Sequence, residues 1–194
     1  MTPRQSQPQS RRVAYTTVVV TFLALVGCLG LTTAASASAA PYCGIVWGSL
    51  EKAGGVELAP NLVGVRSGRH DCYDRLVLDL HGAASAGYRV SYVDAVHRDG
   101  SGEVVPLRGG ARLQIVVRAP SYDFDGHLTY TPANPRELTD LTGYRTFRQV
   151  ADAGSFEGQT TIGLGVRARL PFRVFTVAGP GSGSRLVIDV AHHW

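Results

Sequence analysis

From Leu62 onward the chain alternates apolar and polar positions in short runs set apart by Gly, Pro, Asp and Ser. A period of two puts successive side chains on opposite faces of an extended strand, so each run reads as a strand with one buried face. The pattern predicts strands near Leu62–Arg66, Arg75–Leu80, Arg89–Val93, Glu103–Leu107, Arg112–Arg118, Phe147–Ala153, Thr160–Val166, Phe172–Val177 and Arg185–Val190. In Arg112–Arg118, Leu113, Ile115 and Val117 point inward, while Arg112, Gln114, Val116 and Arg118 point out. The turns Arg98-Asp-Gly-Ser-Gly102 and Gly179-Pro-Gly-Ser-Gly183 read as hairpin connections. The only helical expectation is a short turn at Arg136–Leu141. About eight or nine strands at this spacing predict an all-β, two-sheet β-sandwich, with a flattened barrel as the alternative.

One strand pattern occurs twice. Arg75-Leu-Val-Leu-Asp79-Leu80 returns as Arg185-Leu-Val-Ile-Asp189-Val190, with Arg and Asp on one face and Leu76, Leu78 and Leu80, or Leu186, Ile188 and Val190, on the other. If the copies are antiparallel neighbours in register, Arg75 faces Asp189 and Arg185 faces Asp79, giving two cross-strand ion pairs. In the alternative arrangement the repeat marks equivalent positions in two half-domains.

The first 39 residues read as an export signal. Arg4, Arg11 and Arg12 precede an apolar run from Val13 to Leu31 and a small-residue tract. Ala37-Ser-Ala39 predicts cleavage after Ala39, whereas Leu25-Val-Gly-Cys28 matches a lipobox in which Cys28 would be lipidated. The apolar run continues past Cys28 and a good cleavage site follows, which favours secretion over a membrane-anchored lipoprotein. Residues 40–61 then form a disulfide-tethered lead-in and 62–194 the sandwich domain. Of 19 basic and 15 acidic residues in the chain, the signal holds three Arg and no acid, leaving 16 against 15, a net of +1. So small an excess excludes nucleic-acid binding driven by a basic surface. Cys43 and Cys72 remain as a lone pair, and outside the cytoplasm they are expected to form a disulfide. A loop of about 30 residues closed in this way is worth roughly 3.5 kcal/mol in the chain-entropy model.

The pattern breaks between Pro120 and Tyr144, where Tyr122, Phe124, His127, Tyr130 and Tyr144 collect. Two readings stand for this excursion: aromatic rings for stacking a sugar or peptide, and rings that cover an open end of the sandwich. No catalytic residue is nominated. Zinc hydrolysis requires converging His and acidic ligands, and no such spacing occurs. No Ser lies in a nucleophile elbow, and Asp123, Asp125 and Glu157 form no designated carboxylate pair. His70, Asp71 and Asp74 read as a polar turn, Phe156-Glu-Gly158 as a buried ring with a tight turn, and Trp194 as a cap on the core. No metal and no cofactor is implied.

With these residues in view the chain resembles the AMIN-like domain of secreted proteins and lipoproteins from GC-rich Gram-positive bacteria, itself related to the AMIN module of cell-wall amidases and secretion pores. The resemblance rests on Val65-Arg-Ser-Gly-Arg-His70, Tyr73-Asp-Arg-Leu-Val-Leu-Asp79, Gly87-Tyr-Arg-Val-Ser-Tyr92, Phe156-Glu-Gly158 before Ile162–Val166, Pro171-Phe-Arg-Val174 and Arg185–Val190, led in by Cys43–Leu50. It implies a two-sheet sandwich and an extracytoplasmic, non-catalytic role in targeting to the cell envelope, by binding peptidoglycan or an envelope protein. Arg66, Arg69 and Arg145 would suit stem-peptide carboxylates, and Tyr122, Phe124, Tyr130 and Tyr144 would suit the glycan. The competing expectation is a secreted protein-interaction or scaffold domain that works through a sheet edge or face. A small-ligand carrier fits less well, because the inward Leu, Ile and Val positions leave no hollow.

Overall fold

Leu76, Leu78, Leu186, Ile188, Ile115, Leu113, Ile162 and Leu164 are all fully buried, and they meet in one core between two sheets. Burying such a side chain contributes about 2 kcal/mol, so the alternation specifies the layers. The computed structural model describes residues 41–55, 61–82 and 86–194. The segment expected to be an export signal, with Cys28 and the expected cleavage site after Ala39, lies outside the described residues.

The strands are β1 (Lys52–Gly54), β2 (Leu62–Arg69), β3 (Tyr73–Leu80), β4 (Tyr88–Val93), β5 (Val96–His97), β6 (Val104–Val105), β7 (Ala111–Val117), β8 (Phe147–Phe156), β9 (Gln159–Val166), β10 (Phe172–Ala178) and β11 (Ser184–Ala191). A five-stranded sheet runs β1-β4-β7-β9-β8 and a four-stranded sheet runs β10-β11-β3-β2. Every pairing in them is antiparallel. The architecture is the all-β, two-sheet sandwich with a disulfide. Cys43 and Cys72 are bonded with Cα atoms 6.4 Å apart, which ties the lead-in to the start of β3.

Four local expectations are corrected. First, the Arg98–Gly102 hairpin is present, but the strand that enters it is Val96–His97 and not Arg89–Val93. The turn closes the small β5–β6 ribbon, whose Val96 and Val105 sit with Leu107 on Ala151 and Ala153 over the outer face of the five-stranded sheet. Gly163 and Gly165 on β9 make this possible: a Cβ at Gly165 would lie 2.0 Å from the Arg108 carbonyl oxygen, so only glycine lets the chain lie flat there. Second, Arg136–Leu141 forms no helix. Its backbone is taken up by the β8 edge, where Leu138 N donates to Val150 O (2.8 Å) and Pro135 O accepts from Asp152 N (2.7 Å). Third, the Phe156 ring is half exposed, although the tight turn is present with positive φ at Glu157 and Gly158. Fourth, Trp194 does not cap the core. Its ring is 73% exposed and its Nε1 donates to Arg169 O.

The excursion of residues 120–146 is a strap along the seam between the β8 and β2 edges. It is pinned by Leu62 N to Pro120 O, Thr129 Oγ1 to Leu62 O and Tyr144 OH to Ser67 Oγ, each at 2.8 Å. Tyr130, Leu138, Leu141 and Tyr144 pack against the core from this strap. On the opposite seam, Tyr92 OH donates to Leu170 O and accepts from Leu170 N, and burial pushes its hydroxyl up to about 12.

Candidate functional site

The strap and the β5–β6 ribbon cover the seam and part of one sheet, so the outer face of the four-stranded sheet is where polar chemistry collects. β11 and β3, the two repeat strands, are its middle pair. In their ladder Val187 stands opposite Val77, Asp189 opposite Arg75 and Arg185 opposite Asp79. The repeat therefore makes a local pseudo-two-fold axis through the Val77–Val187 pair, with an aspartate on each side.

Each aspartate gathers two arginines. Asp189 accepts from Arg75 Nε (2.6 Å) and Nη2 (2.9 Å), and from Arg173 Nε (2.8 Å) on β10. Its carboxylate is fully buried. Tyr73, Phe175 and Trp47 seal the cluster: the Arg173 guanidinium lies 5.4, 5.0 and 5.5 Å from their ring centres, and Arg75 lies 5.2 Å from Tyr73. Hydrogen bonds to Asp189 raise the affinity of the Arg75 guanidinium for its proton, against the opposing effect of burial.

Asp79 accepts from Arg66 Nε (2.8 Å) and Nη2 (3.0 Å). Arg185 is different. Its Nε stands 3.6 Å from Asp79 Oδ1, too far for a hydrogen bond, and this nitrogen is buried with no hydrogen-bond partner. The symmetry breaks at the third residue. Arg173 is directly opposite Asp189, whereas the residue of β2 opposite Asp79 is Gly64, and Arg66 reaches the carboxylate from two positions along. Among the described residues no aromatic side chain stacks on the arginines of this second cluster, and Asp79 keeps 29% of its side chain exposed. It lines an open cavity of about 620 Å³ with Val63, His81 and the turn from Gly179 to Gly183. Two arginines against one aspartate leave an excess positive charge there.

The remaining predicted residues do not converge. Tyr122 lies near the β8–β9 turn, its hydroxyl accepting from Gly158 N (3.2 Å), and Phe124 is fully exposed on the strap. Tyr130 and Tyr144 are half-buried on the core, with Tyr144 stacked on Phe147 at 5.9 Å. Arg69 and Arg145 line a separate cavity of about 260 Å³ at the Tyr144 end, with Asp74 and His192 at its floor. Asp74 and His192 are buried: Asp74 Oδ2 accepts from Thr146 N (2.6 Å) and Phe147 N (3.0 Å), and His192 Nε2 lies 3.2 Å from Asp74 Oδ1. This group joins the starts of β3 and β8 to the chain end. No nucleophile stands against it among these contacts. Asp123, Asp125 and His127 bring ligand atoms within 4.8 Å of one another on the exposed strap. Asp123 is committed there to the amides of Asp125 (3.0 Å) and His127 (2.8 Å), and the His127 amide bond is the main reason its carboxyl lies below the usual range.

Sequence reasoning missed Arg173 and Trp47 as partners of Asp189. Arg173 carried a signal, since a strand that opens Phe-Arg-Val-Phe just before the second repeat copy puts its arginine and the second aromatic on the same face. Trp47 carried none before the lead-in was placed.

A family model for the AMIN-like domain matches residues 60–192, and the chain belongs to that family. No curated protein and no solved structure matches it. AMIN-like domains are non-catalytic modules associated with the peptidoglycan of the cell envelope, and together with the disulfide this marks an extracytoplasmic protein.

Proposed function

We propose that the chain is an exported envelope-targeting module that holds peptidoglycan by a carboxylate of the stem peptide at the open Arg66–Asp79–Arg185 cluster. One observation carries the reading. Of two clusters built from two arginines and an aspartate, one is paired and sealed, and the other keeps Arg185 Nε without a hydrogen bond among the described residues, beside an open cavity. A carboxylate meeting the terminal nitrogens of Arg185, whose side chain keeps 32% of its surface exposed, gains a two-pronged contact that Asp79 does not make, and Arg66 adds charge from the other wall. Val63 and the Gly179–Gly183 turn give the cavity its sides.

The test is co-sedimentation of the oxidised protein with purified sacculi at low and high salt. Arg185→Ala is expected to weaken saturable binding by about tenfold or more, the worth of a charge-assisted bidentate contact, and added salt to weaken it further. Tyr122→Ala and Tyr130→Ala are expected to bind as wild type. Undiminished binding by Arg185→Ala, with loss in the two tyrosine variants, would move the site to the strap. In the same reading export releases a chain beginning at Ala40. An intact mass carrying acyl chains on Cys28 would instead make it an anchored lipoprotein.

A further inference from the structure

β10 is an edge strand that, among the described residues, is covered only at its Phe172 end. Natural edges are blunted by bulges, prolines, charges or a covering segment. β2 has a register shift between Leu62 and Gly64 and the strap beside it, and β8 has two register shifts and the strap's hydrogen bonds. β1 is only three residues long. β10 pairs with β11 in unbroken register from Phe172 to Ala178 and contains no proline and no acid. Its one charge, Arg173, is turned onto Asp189.

The direction of its free groups follows from one hydrogen bond. Phe172 N donates away from β11 to Gly48 O at 2.9 Å. Alternation along an antiparallel strand then points the N–H and C=O of Val174, Thr176 and Ala178 outward as well. Among the described residues none of these groups has a backbone partner. Gly48 occupies the edge at Phe172, and Trp47 covers Arg173, so the open window is Val174–Ala178 and its centre is Thr176.

We infer that two copies of this chain pair through this window, β10 against β10 in antiparallel register about a two-fold axis at Thr176. The occupant follows from the window's own content. Centred on Thr176, the register sets Val174 against Ala178 and Phe175 against Val177 of the other copy, so no like charges meet and the exposed Val177 gains an aromatic neighbour. The bound Gly48 and Trp47 stop a longer foreign strand at the Phe172 end, while a second copy of the same length fits. The two four-stranded sheets become one continuous sheet, and the isologous contact closes as a dimer. An edge contact this short makes a weak dimer, with a dissociation constant in the micromolar range or above.

Sedimentation velocity of the oxidised protein from about 1 to several hundred micromolar reads this directly. Wild type is expected to move from monomer to dimer. Thr176→Pro removes only an outward N–H, which an edge strand tolerates, and is expected to weaken the dimer by about tenfold or more with its thermal transition close to wild type. Thr176→Cys provides a second readout should the proline variant fail to fold. The register puts the two Cα atoms about 5.5 Å apart, within disulfide reach, so oxidation is expected to cross-link the copies while Ser182→Cys stays monomeric. A wild type that is monomeric throughout, or a dimer that survives Thr176→Pro and is not trapped by Thr176→Cys, overturns the inference.

Discussion

The Asp189 and Asp79 clusters start from the same repeat and end in opposite conditions. Asp189, with Arg75 and Arg173 under Trp47, Tyr73 and Phe175, is fully buried. Asp79, with Arg66 and Arg185, has no aromatic side chain stacked on its arginines among the described residues and borders a cavity. A buried charge whose two oxygens both accept from guanidinium groups fixes how strands lie, and removing one member strands the others. A partly wetted charge contributes little to stability but stays available to a ligand. The same Arg–Asp ladder is a structural rivet on one side of the pseudo-two-fold axis and a contact surface on the other. What separates them is the neighbour: Arg173 stands opposite Asp189, whereas Gly64 stands opposite Asp79.

The largest effect that could break this comparison is Asp189→Ala. It leaves Arg75 and Arg173 without their shared acceptor and is expected to cost about 3–5 kcal/mol in urea unfolding. A loss no greater than that of Asp79→Ala would show that sealing adds nothing. Next comes the cover itself. Replacing Cys43 and Cys72 with Ser frees the lead-in that carries Trp47 and is expected to cost about 3.5 kcal/mol, less if the cut loop retains order. In a Trp194→Phe background, tryptophan emission should shift to the red as Trp47 leaves the Arg173 stack. Third, Asp79→Ala is expected to cost about 1 kcal/mol or less, because its partners are substantially wetted. A larger loss would make the open cluster a second rivet. The smallest effect concerns Asp123, exposed on the strap. Its folded-state carboxyl lies below the ordinary value, so its contribution is present above the unfolded-state value and is lost as pH falls through the lowered one. The Asp125 and His127 amides should lose protection from hydrogen exchange, relative to an unstructured amide at the same pH, over that acidic range, with no change in the protection of the β3 and β11 amides.

Legibility differed from region to region for physical reasons. The alternation in Arg112–Arg118 and in the repeat strands reads directly as core faces, since burial of one face leaves no other register. The repeat left two arrangements open, and the structure takes the antiparallel registration that brings opposite charges face to face. The strap had no period to read. Its Pro-rich backbone is satisfied by the β8 edge rather than by a helix, so Arg136–Leu141 lies as an irregular cover strand. Phe156 and Trp194 were mistaken because large apolar rings near turns and strand ends are covered only as far as another segment returns over them: the Gly100 turn reaches one side of Phe156 and leaves its ring half exposed, and Trp194 stays 73% exposed.

The sequence by itself determined the buried faces of the strands, offered the antiparallel mating of the two repeat strands as one of two arrangements, and led to the expected bond between Cys43 and Cys72. Period-two burial, charge opposition and compartment are local or compositional quantities, and they act whatever the rest of the chain does. The tertiary structure decided which aspartate was sealed and which stayed open. That choice depends on long-range arrivals: Arg173 from β10, Trp47 carried in by the disulfide, and a glycine where the matching arginine would have stood.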